Sequence, residues 1–195
     1  MLSPFDALLA EIRACRACAE ALPHPPRPVI HAHPEARILV VGQAPGRRVH
    51  ETGISFNDPS GDRLRDWMGI DRETFYDARR VALVPMGFCY PGTGRGGDLP
   101  PRPECAERWR EPVLAGMPRI ELTLLVGSYA IAWHLYCERR MPPVGEVVAD
   151  WRRHWPALLP MPHPSPRNNR WLRDRPWFEA EVVPALQRRV AELIG

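Results

Sequence analysis

Four short apolar runs punctuate the chain: RILVVG from Arg37, VALVPM from Val81, ELTLLVG from Glu121 and PALLPM from Pro156. Turn residues follow each run, and helical patterns separate most of them. Hydrophobicity within the runs is continuous rather than alternating, which marks strands covered on both faces. Strand and helix in alternation imply a parallel sheet with right-handed crossovers. The expected fold class is α/β, a three-layer α/β/α sandwich with a central four-stranded parallel sheet, built by residues 1–195 as a single domain.

The helices are readable from periodicity and caps. Ser3 as N-cap, Pro4 at the first helical position and Asp6 in the first turn open a helix with Phe5, Leu8, Leu9 and Ile12 on one face, ending near Cys18. A connector, LPHPPRPVIHAHPEA, follows; its prolines forbid a regular helix, and His24, His31 and His33 resemble a metal cluster only superficially. SGDRLRDWMG takes Ser60 as its cap, PECAERWREPVLAG starts near Pro103 or Glu104, and SYAIAWHLYCER is capped by Ser128, with Cys137 as core packing. A last amphipathic helix runs from about Pro176 to Ile194, kinked by Pro184.

Ligands of open α/β sheets bind outside the carboxyl ends of the strands. The turns there are GQAPG, GFCYPG, GSY and PHPSPRNN, and their convergence on one edge predicts the active site. GQAPGRRVHETG is not a dinucleotide fingerprint, because Pro45 sits in the turn and the close glycine spacing is missing.

Composition removes further chemistry. All 26 basic residues are Arg, so neither a Lys Schiff base nor the Lys of a phosphate-binding loop is available. Base composition of the gene accounts for this bias more simply than function does. The net charge of +3 neither announces nor opposes a nucleic-acid partner. No apolar run is long enough to cross a bilayer, and Asp6 and Glu11 interrupt the N-terminal apolar stretch, which therefore reads as a helix rather than a signal peptide. A cytoplasmic monomer is expected.

GQAPG, then TGISF with Ser60 and Gly61 just beyond the Phe, then HPSP after the last strand, together resemble the uracil-DNA glycosylase superfamily over almost the whole chain. The likeness is strongest to its iron-sulfur branch. It implies a monofunctional DNA glycosylase that hydrolyses the N-glycosidic bond of uracil or a related deaminated base, in base excision repair. The absence of Lys agrees with a monofunctional reaction, since β-elimination by a Lys amine is unavailable. The alternative is a non-catalytic damaged-DNA-binding paralogue of the same fold.

The resemblance also assigns residues. His163 would face uracil O2, acting as a neutral electrophile, and Phe56 would stack on the flipped base. The backbone of Gln43, Ala44, Pro45 and Gly46 would hold the other edge of the base or the water. Two departures matter: no Asn follows the second strand, where Pro85 and Met86 stand instead, and Gln43 replaces a water-activating acid. Gln can orient water but cannot take its proton, so His50, Glu51 and Asp58 become substitute candidates. DNA contacts are expected from Arg47, Arg48, Ser165, Arg167, Asn168, Asn169 and Arg170, with Trp171 close by.

Cysteine usage fits the same branch. Cys15 and Cys18 form CxxC, and Cys89 and Cys105 bracket the Pro- and Gly-rich loop YPGTGRGGDLPPRPE. Four such thiolates can hold one structural [4Fe-4S] cluster; tetrahedral zinc and free thiols are the other readings.

Overall fold

In the computed structural model, residues 3–137 and 140–195 are described. Among them six strands form: β1 (Ile38–Val41), β2 (Val81–Leu83), β3 (Thr93–Gly94), β4 (Gly97–Asp98), β5 (Leu122–Val126) and β6 (Leu158–Met161). β2-β1-β5-β6 is a wholly parallel sheet in that order, and each of its strands comes from one of the four apolar runs. The expected α/β sandwich is therefore what the chain builds. β3 and β4 are a separate antiparallel pair inside the Gly-rich loop, where the sequence predicted no strand.

Strand side chains alternate between two cores. Ile38, Val40, Val81, Leu83, Leu122 and Leu124 face one side, and Leu39, Val41, Ala82 and Leu125 face the other. Both edges of the sheet are blunted. His31 pairs antiparallel with Leu83, so the Pro- and His-rich connector covers the outer edge of β2. Pro160 lies in β6, the opposite edge, where a missing N–H costs nothing.

Among the described residues, ten α-helical segments surround the sheet. α1 (Pro4–Ala14) carries a reciprocal capping box between Ser3 and Asp6 and ends four residues before Cys18, with Cys15 as its C-cap. After β1 come α2 (Arg47–Thr52), α3 (Pro59–Met68) and α4 (Arg72–Tyr76). α5 (Pro103–Cys105) leads through π-helical Ala106–Arg110 into α6 (Glu111–Ala115). α7 (Ser128–Ile131) likewise continues as π-helical Ala132–Tyr136, and α8 (Val144–Ala149) precedes β6. α9 (Asn169–Arg173) and α10 (Val183–Ile194) close the chain, with π-helical Phe178–Val182 running into α10.

Several predicted details are corrected. Asp58, not Ser60, caps α3: its side chain accepts from Gly61 N–H, and Pro59 takes the first helical position. Gly127 with φ of 85° occupies the N-cap of α7, and Ser128 is already helical. The predicted extension of that helix through Glu138 and Arg139 lies outside the described residues. Cys137 is exposed rather than core, with φ of 49°. At Pro184 the chain widens into a π-helical stretch immediately before the ring, and the same happens before Pro112. Both prolines lack the N–H and crowd the carbonyl four residues back, which a wider turn relieves. No described helix is long and apolar enough to cross a membrane.

Candidate active site

At the carboxyl ends of β1, β2 and β6 lies a cavity of about 450 Å³, in the range typical of small-ligand sites. GQAPG supplies Gly42, Gln43, Ala44, Pro45 and Gly46; the segment after it supplies Ser55, Phe56, Asp58 and Ser60. Pro85 comes from the end of the second apolar run, and no residue of GFCYPG lines the cavity; His163, Ser165, Arg167 and Asn168 come from the fourth turn. Two turns more than a hundred residues apart thus meet around one space. The GSY turn does not line it; Gly127 stands behind His163, where an added Cβ would lie 3.7 Å from the His163 Cβ.

Phe56 is held under strain. Its φ is 53°, left-handed and costly for an aromatic residue, of order 1–3 kcal/mol. What holds it is close packing. The Phe56 carbonyl presses on Gly61 so tightly that a Cβ there would lie 1.7 Å from the oxygen, and the ring edge lies against Gly42. Phe75 meets the ring edge-on at 6.1 Å between centroids. The strain fixes an aromatic face at the cavity wall, and it explains why Gly follows Ser in the motif.

His163 sits at the start of the HPSP turn, directly after β6. Its Nδ1 accepts from Ser165 N–H at 3.2 Å, which places the proton of the neutral ring on Nε2. Burial pushes its pKa below the usual histidine value, with Arg167 adding to the effect and Asp58 and Asp98 opposing it. The ring is therefore a neutral N–H donor at the cavity. The turn is braced by Asn168 Nδ2, donating to the His163 carbonyl at 2.7 Å, and by Arg63, whose guanidinium reaches the Pro164 carbonyl at 3.2 Å. Neither bracing contact was visible in the sequence, because Arg63 lies on α3 about a hundred positions away.

The β3–β4 hairpin forms the remaining wall through Gly96, Gly97 and Asp98. Gln43 Nε2 donates to the Leu99 carbonyl at 2.8 Å, and Arg167 Nη1 donates to the Gly96 carbonyl at 3.2 Å. One tether comes from each of the two principal turns. Sequence reasoning missed Asp98; the signal for it was TGRGGD, a two-residue turn flanked by glycines.

Other predicted site residues lie elsewhere. His50 points away from the cavity, into an aromatic group with His24 at 5.4 Å and Tyr90 at 5.8 Å. Burial lowers its pKa, and its Nδ1 is buried without a partner. Glu51 is exposed and pairs with Arg47 at 3.0 Å. α2 turns its Val49 face to the cavity, which sends the next residue about 100° around the helix. Arg47, Arg48, Asn169 and Arg170 are exposed outside the cavity, and Arg170 lies 3.7 Å from Asp174. His31 bonds the Tyr76 carbonyl and His33 accepts from Glu35 N–H.

Apart from the cavity, Cys15, Cys18, Cys89 and Cys105 line one small pocket with Pro26, Pro28, Phe88 and Trp109. Burial pushes the Cys89 thiol up to about 12, aided by Cys105, and raises Cys18 and Cys105 as well. Among the described residues no three His, Cys, Asp or Glu side chains are arranged to chelate one ion. Next in the chain after Trp109 is Arg110, 1% exposed. Its Nη1 donates to the carbonyls of Val84 and Pro85, both at 3.1 Å, and its Nη2 meets His134 Nε2 at 2.9 Å. Arg110 thus fixes the strand end that carries Pro85 to the cavity wall.

Within residues 30–187 the chain matches the family model described as the uracil DNA glycosylase superfamily. That span contains the whole parallel sheet and every wall of the cavity, and the chain belongs to the uracil DNA glycosylase superfamily.

Proposed function

We propose that the protein is a monofunctional glycosylase that removes uracil, or a deaminated base of similar shape, from DNA. The observation carrying this reading is the meeting of three groups at one cavity: the strained Phe56 ring, the Gln43–Gly46 backbone and the Nε2–H of neutral His163. A flipped base lies flat on an aromatic face and is read along its edges. As the glycosidic bond lengthens, positive charge grows on the sugar and negative charge on the base. His163 Nε2–H donates to the base oxygen where that charge collects, which is electrostatic stabilisation without full proton transfer. Phe56 and Pro85 exclude water from the base, while the open hairpin side admits it.

Outside the cavity, Arg47, Arg48 and Arg170 supply phosphate contacts, with Asn169 beside them. Arg167 is already committed to the hairpin, so its part in DNA binding is indirect.

Cys15, Cys18, Cys89 and Cys105 would hold a [4Fe-4S] cluster. Four cysteines lining one pocket would suit such a cluster, whose ligands are Cys thiolates. When bound, the group supplies a covalent tie between the end of α1, the loop after β2 and α5. The raised thiol pKa values mean that loading releases protons.

The test is incubation with oligonucleotides carrying uracil, hypoxanthine or xanthine, single- and double-stranded, followed by alkali. Strand scission with wild type and a loss of about 10²–10³-fold in His163→Gln is expected, the cost typical of removing one such donor. DNA affinity with intact strands for every base would instead identify a binding paralogue.

A further inference from the structure

The glycosylase reading leaves the attacking water without a base. Gln43 cannot accept a proton, and its Nε2 is occupied by the hairpin. His163 serves the base, and its Nδ1 is bonded to Ser165 N–H. His50 and Glu51 lie outside the cavity. The carboxylates among the described lining residues are Asp58 and Asp98. Asp58 gives Oδ1 to the α3 cap, at 2.9 Å from Gly61 N.

Asp98 is less tightly held than this N-cap carboxylate. It ends β4 at the mouth of the cavity, in contact with both solvent and the interior. Its Oδ1 takes only a long hydrogen bond from Thr93 Oγ1, 3.3 Å, and Thr93 is itself steadied by Tyr90 OH. Oδ2 has no hydrogen-bond or cationic partner among the described residues. It lies over Gly46 in the base-binding turn, where an added Cβ would come within 3.3 Å of it. The two tethers of the hairpin, from Gln43 and Arg167, hold this carboxylate between the two turns that hold the base.

We propose that Asp98 is the catalytic carboxylate of the hydrolysis, carried into the site by the β3–β4 hairpin. This rests on the glycosylase reading above. Water enters past the hairpin; as its oxygen bonds to C1′, its proton passes to Asp98 Oδ2 and then to solvent. The glycosidic bond breaks with its electron pair leaving on the base, which is held at His163 and afterwards protonated from solvent. Gln43 is then a tether for the hairpin, and the proton acceptor sits on the segment that it tethers.

Single-turnover excision by Asp98→Asn tests this, because the amide keeps the shape and the Oδ1 acceptor for Thr93. A rate loss of about 10²-fold or more is expected, the scale of general-base catalysis, with affinity for abasic-site DNA within about threefold of wild type. Asp98→Ala should regain rate with added formate, a small carboxylate that fits the vacated space, and Thr93→Val should lose no more than a few fold. A rate for Asp98→Asn within about threefold of wild type overturns the assignment. So does a Thr93→Val loss as large as that of Asp98→Asn, which would make the carboxylate a hairpin brace. If wild type excises no deaminated base, the glycosylase reading falls, and this assignment with it.

Discussion

Phe56 and Gly61 are the residues whose conformations depend most on each other. A positive φ at an aromatic position persists only where its surroundings leave no alternative. Here the carbonyl sits where any side chain at position 61 would be, and Arg65 Nη1 donates to the same oxygen at 3.5 Å. Gly61→Ala must therefore move the Phe56 peptide, and the helix start with it. A destabilisation at the upper end of roughly 1–3 kcal/mol, the range for overpacking, is expected from urea unfolding. Base excision should fall further than stability, since the ring is displaced. His163 was legible from sequence because its turn carries a motif. Its tautomer was not, because that depends on where the Ser165 N–H points, a matter of backbone geometry.

At the scale of elements, the hairpin matters most and was least legible. Strands of two residues, Thr93–Gly94 and Gly97–Asp98, show neither alternation nor an apolar run. Their pairing is held from outside by side chains of Gln43 and Arg167, contacts that no local pattern encodes. The buried parallel strands were legible for the opposite reason, as a strand covered on both faces has to be apolar throughout. Caps were legible to within a residue or two: Asp58 and Ser60 both qualify by type, and only the position of Pro59 in the first turn decides between them. Arg167→Ala removes one tether of the hairpin. Amide exchange at residues 94–98 should quicken, while β1 and β5 stay protected; unchanged exchange would mean that the tether holds nothing.

For the whole molecule, the part-buried contact of Arg110 with His134 sets a pH dependence. Burial, reinforced by the charge of Arg110, lowers the His134 pKa from 6.5 to about 3. Below 6.5 the unfolded chain binds a proton that the folded chain refuses, so stability falls as pH drops and levels off only near the folded value. His163 acts in the same direction. Urea midpoints should therefore decline steadily from neutral pH to about pH 5, and His134→Gln should flatten that slope. An equal slope in the variant would assign the acid sensitivity to other groups. The cysteine pocket brings the end of the N-terminal helix beside the loop after β2, and the convergence of its four cysteines was legible through their spacing and the family resemblance.

Central to all of this is a nucleobase seated flat on Phe56 between the Gln43 turn and His163. A crystal structure with an oligonucleotide bearing a non-hydrolysable deoxyuridine analogue tests it most directly. The flipped base is expected in the cavity, its ring against Phe56 and one carbonyl oxygen within hydrogen-bond reach of His163 Nε2. A base that stays stacked in the DNA, or one lodged elsewhere while this cavity holds only solvent, would contradict it.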